Sequence, residues 1–115
     1  MDYKLINPEY LHSVSGGDLE TEKEIIEMFR EQSEEIYKEF IAKLSEKNYT
    51  MLGQLAHKAK SSVAIMGMED LAAVLKTFEL QAKESKEPGK YEAYIKRFKS
   101  DTDSAVRELE DYLNI

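Results

Sequence analysis

Apolar residues recur at intervals of three and four along most of this chain, and the places where the rhythm fails mark helix ends. Asn7-Pro8 reads as an N-cap with proline at the first helical position. Tyr10, Leu11 and Val14 then make a short apolar helix, stopped by Gly16-Gly17. Asp18 is a candidate cap for the next helix, and Glu20, Glu22 and Glu24 suit its positive end. That helix carries Leu19, Ile25, Ile26, Phe29, Ile36, Tyr37, Phe40, Ile41 and Leu44. The step from Phe29 to Ile36 is polar, and Ser33-Glu34-Glu35 reads as a restart, so one kinked helix or two abutting ones are expected. Asn48 caps a third helix over 49–65, with Leu52, Leu55, Ala56, Ala59, Val63 and Met66 on one face, and Gly67 ends it. Glu69 and Asp70 open a fourth, whose inner face is Leu71, Val74, Leu75, Phe78 and Ala82. After the break at Pro88-Gly89, a helix over 90–113 repeats Tyr91, Ile95, Phe98, Thr102, Ala105, Leu109 and Tyr112, the seam of a bundle.

Short connections force consecutive long helices antiparallel. The expected fold is all-α, an antiparallel up-down four-helix bundle with a short extra N-terminal helix, forming a single domain over 1–115. With 42% hydrophobic residues among 115, the chain can bury a real core, and its five glycines and two prolines favour helices over a turn-rich sheet. Aromatic and Met side chains at helical spacing are assigned to that core. One amphipathic bundle needs no second chain, so a monomer is expected. The absence of cysteine excludes disulfides and thiolate metal sites. No apolar run reaches the length of a signal peptide core or a membrane span, which points to a cytoplasmic protein without a membrane partner. A net charge of −7 argues against nucleic acid, which needs a concentrated basic face.

The acid is unevenly placed. From Lys47 to Met68 there is no Asp or Glu, and His57 lies inside this gap. At about 100° per residue, His57 falls about 150° from the centre of the apolar stripe, on the water-facing side. It shares that side with Gly53, Gln54, Lys60, Ser61 and Ala64. Glycine within a helix costs about 1 kcal/mol relative to alanine. Gly53, one turn before His57, is read as leaving the ring open to a partner. An exposed imidazole with no carboxylate beside it in the chain suits a phosphoryl acceptor. A reference imidazole, with pKa about 6.5, is largely neutral at cytosolic pH, so a ring nitrogen keeps its lone pair. Lys58 and Lys60 disfavour further positive charge on the ring. Lys60, one turn on, can stabilise a dianionic phosphoryl group, and Ser61 can donate to one of its oxygens.

The string Ala56-His57-Lys58-Ala59-Lys60-Ser61-Ser62, followed by Gly67 and then Leu71, Leu75 and Glu79, resembles the histidine-containing phosphotransfer (HPt) domain. The opening from Tyr10 to Asp18 is similar to that family's entry segment, so the resemblance covers nearly the whole chain. It implies a phosphorelay intermediate, with His57 as phosphoacceptor and Lys60 as its charge partner. The implied partners are the receiver domains of a hybrid histidine kinase and of a response regulator. Those receivers would supply aspartate and Mg²⁺, so no cofactor and no metal belong to this chain. Docking is expected on Gly53, Gln54, Lys58 and Ala64, together with Tyr10, Leu11 and Val14 of the short helix. The chain departs from the family pattern at Ser61, where glycine is common, and at Ala59, where leucine is usual. Both departures bear on partner preference more than on chemistry.

Three other classes fit less well. A helical interaction module with an incidental surface histidine is the main alternative. A kinase dimerisation domain usually has an acid directly after its histidine, where this chain has Lys58. A di-iron bundle needs two Glu-x-x-His motifs, and Glu9-Tyr10-Leu11-His12, on the short helix, is the only match. His12 is read as a surface residue or as part of the rim of a partner site.

Overall fold

The computed structural model describes residues 5 to 113, with the side chains of Val14 and Leu113 outside the described set. Its helices are α1 (Pro8–Ser15), α2 (Leu19–Ser45), α3 (Tyr49–Ile65), α4 (Glu69–Lys83) and α5 (Tyr91–Leu113), with a 3₁₀ turn at Pro88–Lys90 before the last. The four long helices run up and down in chain order. Helix α3 packs against α2 and α4, and α5 closes the bundle against both of those. The molecule measures 43 × 21 × 20 Å. The expected all-α bundle with a short N-terminal helix is the fold observed.

The capping residues set most boundaries. Asn7 Oδ1 accepts from the Tyr10 amide, and Asn48 Oδ1 from the Met51 amide. Gly16 ends α1 in the left-handed region at φ 71°. Asp18 makes no side-chain cap bond; its carboxylate accepts from Thr21 Oγ1 instead. Helix α2 is continuous through the polar step. Ser33 is buried between Phe29 and Ile36 and donates its hydroxyl to the Phe29 carbonyl, so the stripe passes through it without a restart.

The core is one cluster. Phe40, Phe78, Phe98 and Tyr91 stack with ring centroids between 5.3 and 5.5 Å apart, and the Tyr91 hydroxyl lies 2.9 Å from the Gln81 carbonyl and 2.6 Å from that of Lys86. The expected core was too generous at its edges. Leu19 and Ile41 are exposed, because α2 shows water a wider arc than its apolar count suggests. At one end of the bundle the N-terminal segment crosses the α3–α4 turn. The Asn7 amide donates to the Met66 carbonyl at 3.0 Å. Gly67 is required there twice over: its φ is 77°, and a Cβ would sit 2.5 Å from that of Asn7. No helix among the described residues is long and apolar enough to cross a membrane.

Candidate functional site

His57 stands mid-way along α3 with its side chain 60% exposed, as its place on the helical wheel requires. The carboxylate missing from its own segment comes from the neighbouring helix. Glu79 of α4, buried at 8%, places both oxygens 3.2 Å from His57 Nδ1. This corrects the expectation of a ring without an acid nearby. Sequence distance hid the contact, since twenty-two residues and a turn separate the two.

Two ammonium groups hold the same carboxylate. Lys60 Nζ donates to Oε1 at 3.3 Å, and Lys83 Nζ, one turn along α4, donates to Oε2 at 2.8 Å. Glu79 is pulled from its ordinary 4.5 to about 2, foremost by the Lys83 hydrogen bond and further by His57 and Lys60, against the upward push of burial. An ionised carboxylate can only accept. His57 Nδ1 therefore donates to Glu79, which turns the other ring nitrogen, Nε2, away from the carboxylate. The site thus offers an oriented, largely exposed imidazole and two cations within one ionic cluster.

The other site residues divide clearly. Gln54, Lys58, Ser61 and Ala64 are exposed on α3, and Tyr10 of α1 is 46% exposed. Ser61 Oγ donates to the His57 carbonyl at 3.3 Å, so at rest its proton serves the helix backbone. Two docking expectations need correction. Leu11 is 1% exposed and belongs to the core, because the short helix turns its apolar side onto the bundle. Gly53 is buried: a Cβ there would meet Lys83 Cγ at 3.0 Å and the Glu79 carbonyl at 3.5 Å. Its missing side chain brings α3 and α4 together rather than clearing the ring. The expectation at Val14 falls on a side chain outside the described set.

Sequence reasoning assigned no role to Glu79, which entered it only as one position of a family pattern, and it passed over Lys83. Two features could have drawn attention to them: Glu79 lies on the apolar face of α4 beside Phe78, and Lys83 follows at i+4. It also missed an apolar groove between α2 and α3, lined by Ile25, Met28, Phe29, Ile65 and Met66. Ile65 lies two turns beyond His57, about 12 Å along α3. Among the described residues no cluster of three His, Cys, Asp or Glu side chains could hold a metal ion.

A four-helix bundle presenting an oriented imidazole from the middle of one helix has the architecture of a histidine phosphotransfer module. The family model of the Hpt domain matches residues 24–114, and the chain belongs to that family. No curated protein and no solved structure matches it. Membership makes the chain a phosphotransfer module of two-component signalling rather than a classical enzyme, one of a family whose members interact with receiver and kinase domains.

Proposed function

We propose that this protein is a phosphorelay intermediate that takes a phosphoryl group onto His57 from a receiver-domain aspartate and passes it to a second receiver domain. The observation that carries this reading is the Nδ1 contact with buried, ionised Glu79, which directs Nε2 away from the carboxylate on a ring that is 60% exposed. In the forward step the Nε2 lone pair forms the N–P bond. The P–O bond to the aspartate breaks, and its electron pair returns to the carboxylate. The ring gains positive charge as the bond forms, and Glu79 supports that charge through the Nδ1 proton. The receiver supplies the Mg²⁺ and the groups that stabilise the in-line transfer. Lys60 turns from Glu79 to the phosphoryl oxygens, and Ser61 is near enough in the helix to add a donor.

Receivers dock on Gln54, Lys58, Ala64 and Tyr10, and the groove at Met28 and Ile65 supplies the small apolar centre that a transient interface requires. The protein acts as a cytoplasmic monomer. Incubation with a phosphorylated receiver tests the reading. The wild-type protein takes up an acid-labile, base-stable label, and His57→Gln keeps the helical fold and takes none. Equal labelling of that variant would refute the assignment, and absence of label on the wild type would leave a helical interaction module.

A further inference from the structure

Glu79 accepts from three partners, and the transfer as described uses only His57 and Lys60. The third, Lys83, is the nearest at 2.8 Å. Its place is built rather than incidental. Lys83 follows Glu79 by one turn of α4, so the two share a face. Its stem lies over Gly53, where any Cβ would approach Lys83 Cγ to 3.0 Å. The one helical glycine of α3 therefore forms the seat of this lysine.

We propose that Lys83 is a positioning residue for the transfer: seated across Gly53, its ammonium screens the Glu79 carboxylate, so that Glu79 orients the His57 ring without holding it as an imidazolium. The inference rests on the phosphoacceptor reading of His57. A buried carboxylate paired with an imidazole alone favours the protonated ring, and a protonated ring has no lone pair to attack phosphorus. Glu79 from α4 meets this ring directly, Lys83 from α4 and Lys60 from α3 reach it through the Glu79 carboxylate, and Lys58 follows it in sequence on the exposed side of α3. Lys60 has a second duty, because it must leave Glu79 to meet the phosphoryl group. At that moment Lys83 is the remaining cation on the carboxylate. Division of the two oxygens, Oε1 for Lys60 and Oε2 for Lys83, allows one to leave while the other stays.

The test is a pH titration of both histidine rings by NMR, run beside receiver labelling, on wild type, Lys83→Met and Lys83→Arg. In Lys83→Met the His57 titration midpoint moves up, because a cation has been removed from its carboxylate, and the His12 midpoint in the same spectra stays. Labelling slows about two- to fivefold near pH 6.5, the scale of one partly exposed ion pair, and recovers by pH 8 as the ring deprotonates. Lys83→Arg restores both. An unmoved His57 midpoint in Lys83→Met would overturn the role. So would slowed labelling that is the same at every pH, which would mark Lys83 as a docking or phosphoryl contact. If the wild type takes no label, the phosphoacceptor reading falls, while the His57 midpoint still decides whether Lys83 screens Glu79.

Discussion

His12 and His57 are held in much the same way. Each ring is largely exposed, at 63% and 60%, and each meets a buried glutamate through Nδ1, Glu22 at 3.1 Å and Glu79 at 3.2 Å. The surroundings of the two carboxylates differ. Glu79 is ringed by the ammonium groups of Lys60 and Lys83. Glu22 is met by hydroxyls: Tyr112 donates to Oε2 at 3.1 Å, and Ser15 shares its one proton between Oε1 at 3.3 Å and the His12 carbonyl at 3.0 Å. The far nitrogens differ as well. A Cβ on Gly17 would stand 3.1 Å from His12 Nε2, so the α1–α2 turn lies over that atom. His12 also sits in the last turn of α1, where the helix end is negative and a phosphoryl group is unwelcome. On the phosphoacceptor reading proposed for His57, the two sites are told apart by the cations around the carboxylate and by what faces Nε2. The His12 pair ties α1 to α2 and, through Tyr112, to the end of α5.

The largest effect that separates the two is all or none. His12→Gln takes up phosphoryl label from a receiver at close to the wild-type level, whereas His57→Gln takes none. Substantial loss of label in a folded His12→Gln protein would break the comparison, because it would give the first ring a share of the chemistry. Stability separates the pairs in the opposite sense. Glu22→Ala removes the buried acceptor shared by His12, Ser15 and Tyr112 and loosens α1, costing about 2 kcal/mol. Glu79→Ala frees two lysines and a histidine that reach water, and costs about 1 kcal/mol. Urea unfolding midpoints of the two variants measure the difference, and a greater loss for Glu79→Ala would reverse the assigned roles.

What the sequence made legible follows from the range of the forces involved. Helix caps and apolar spacing act within a few residues. Asn7, Asn48 and Gly67 therefore mark true boundaries, and α3 spans 49–65 as its pattern predicts. The exposure of His57 follows from the same periodicity. Contacts between helices are not local. Glu79 reads as a charged residue interrupting an apolar face, and nothing in its own helix says that it meets His57. Gly53 shows the same limit: its cost to the helix signals a reason, but one-dimensional geometry cannot tell an open approach from a close packing of two backbones. Leu11 and Ile41 exchange expected places, one buried and one exposed, because a short helix and a long one present different arcs to the bundle.

Acid sharpens the contrast more gently. The Glu79 carboxyl, held at about 2 against an ordinary 4.5, is ionised more readily in the folded protein than in the unfolded chain. A lowered folded pKa gives stability that is complete above 4.5 and lost as pH falls from 4.5 towards 2. In Glu79→Gln that contribution to the acid slope of stability disappears, while the variant is already weakened at neutral pH. Urea midpoints taken across that window check the sign. A Glu79→Gln protein with the full wild-type slope would show that the cluster does not hold the carboxylate ionised.

The smallest effect concerns the two glycines, one beside each pair. Gly17 has φ 82°, which L side chains rarely adopt, and its Cβ would press on His12 Nε2. Gly17→Ala therefore combines backbone strain with displacement of the ring, and destabilises by about 1 kcal/mol. Gly53 is helical, so Gly53→Ala gains about 1 kcal/mol of helix propensity. That gain is offset by the approach to Lys83 Cγ, part of a flexible stem that can shift by a few tenths of an ångström. The net change in thermal midpoint is close to zero, but Lys83 no longer lies as closely across α3. The sharper readout is the His57 titration midpoint, which moves in the same upward direction as in Lys83→Met and by less. A stable Gly53→Ala protein with an unmoved midpoint would show that Lys83 reaches Glu79 without its seat, and that the glycine serves helix packing alone.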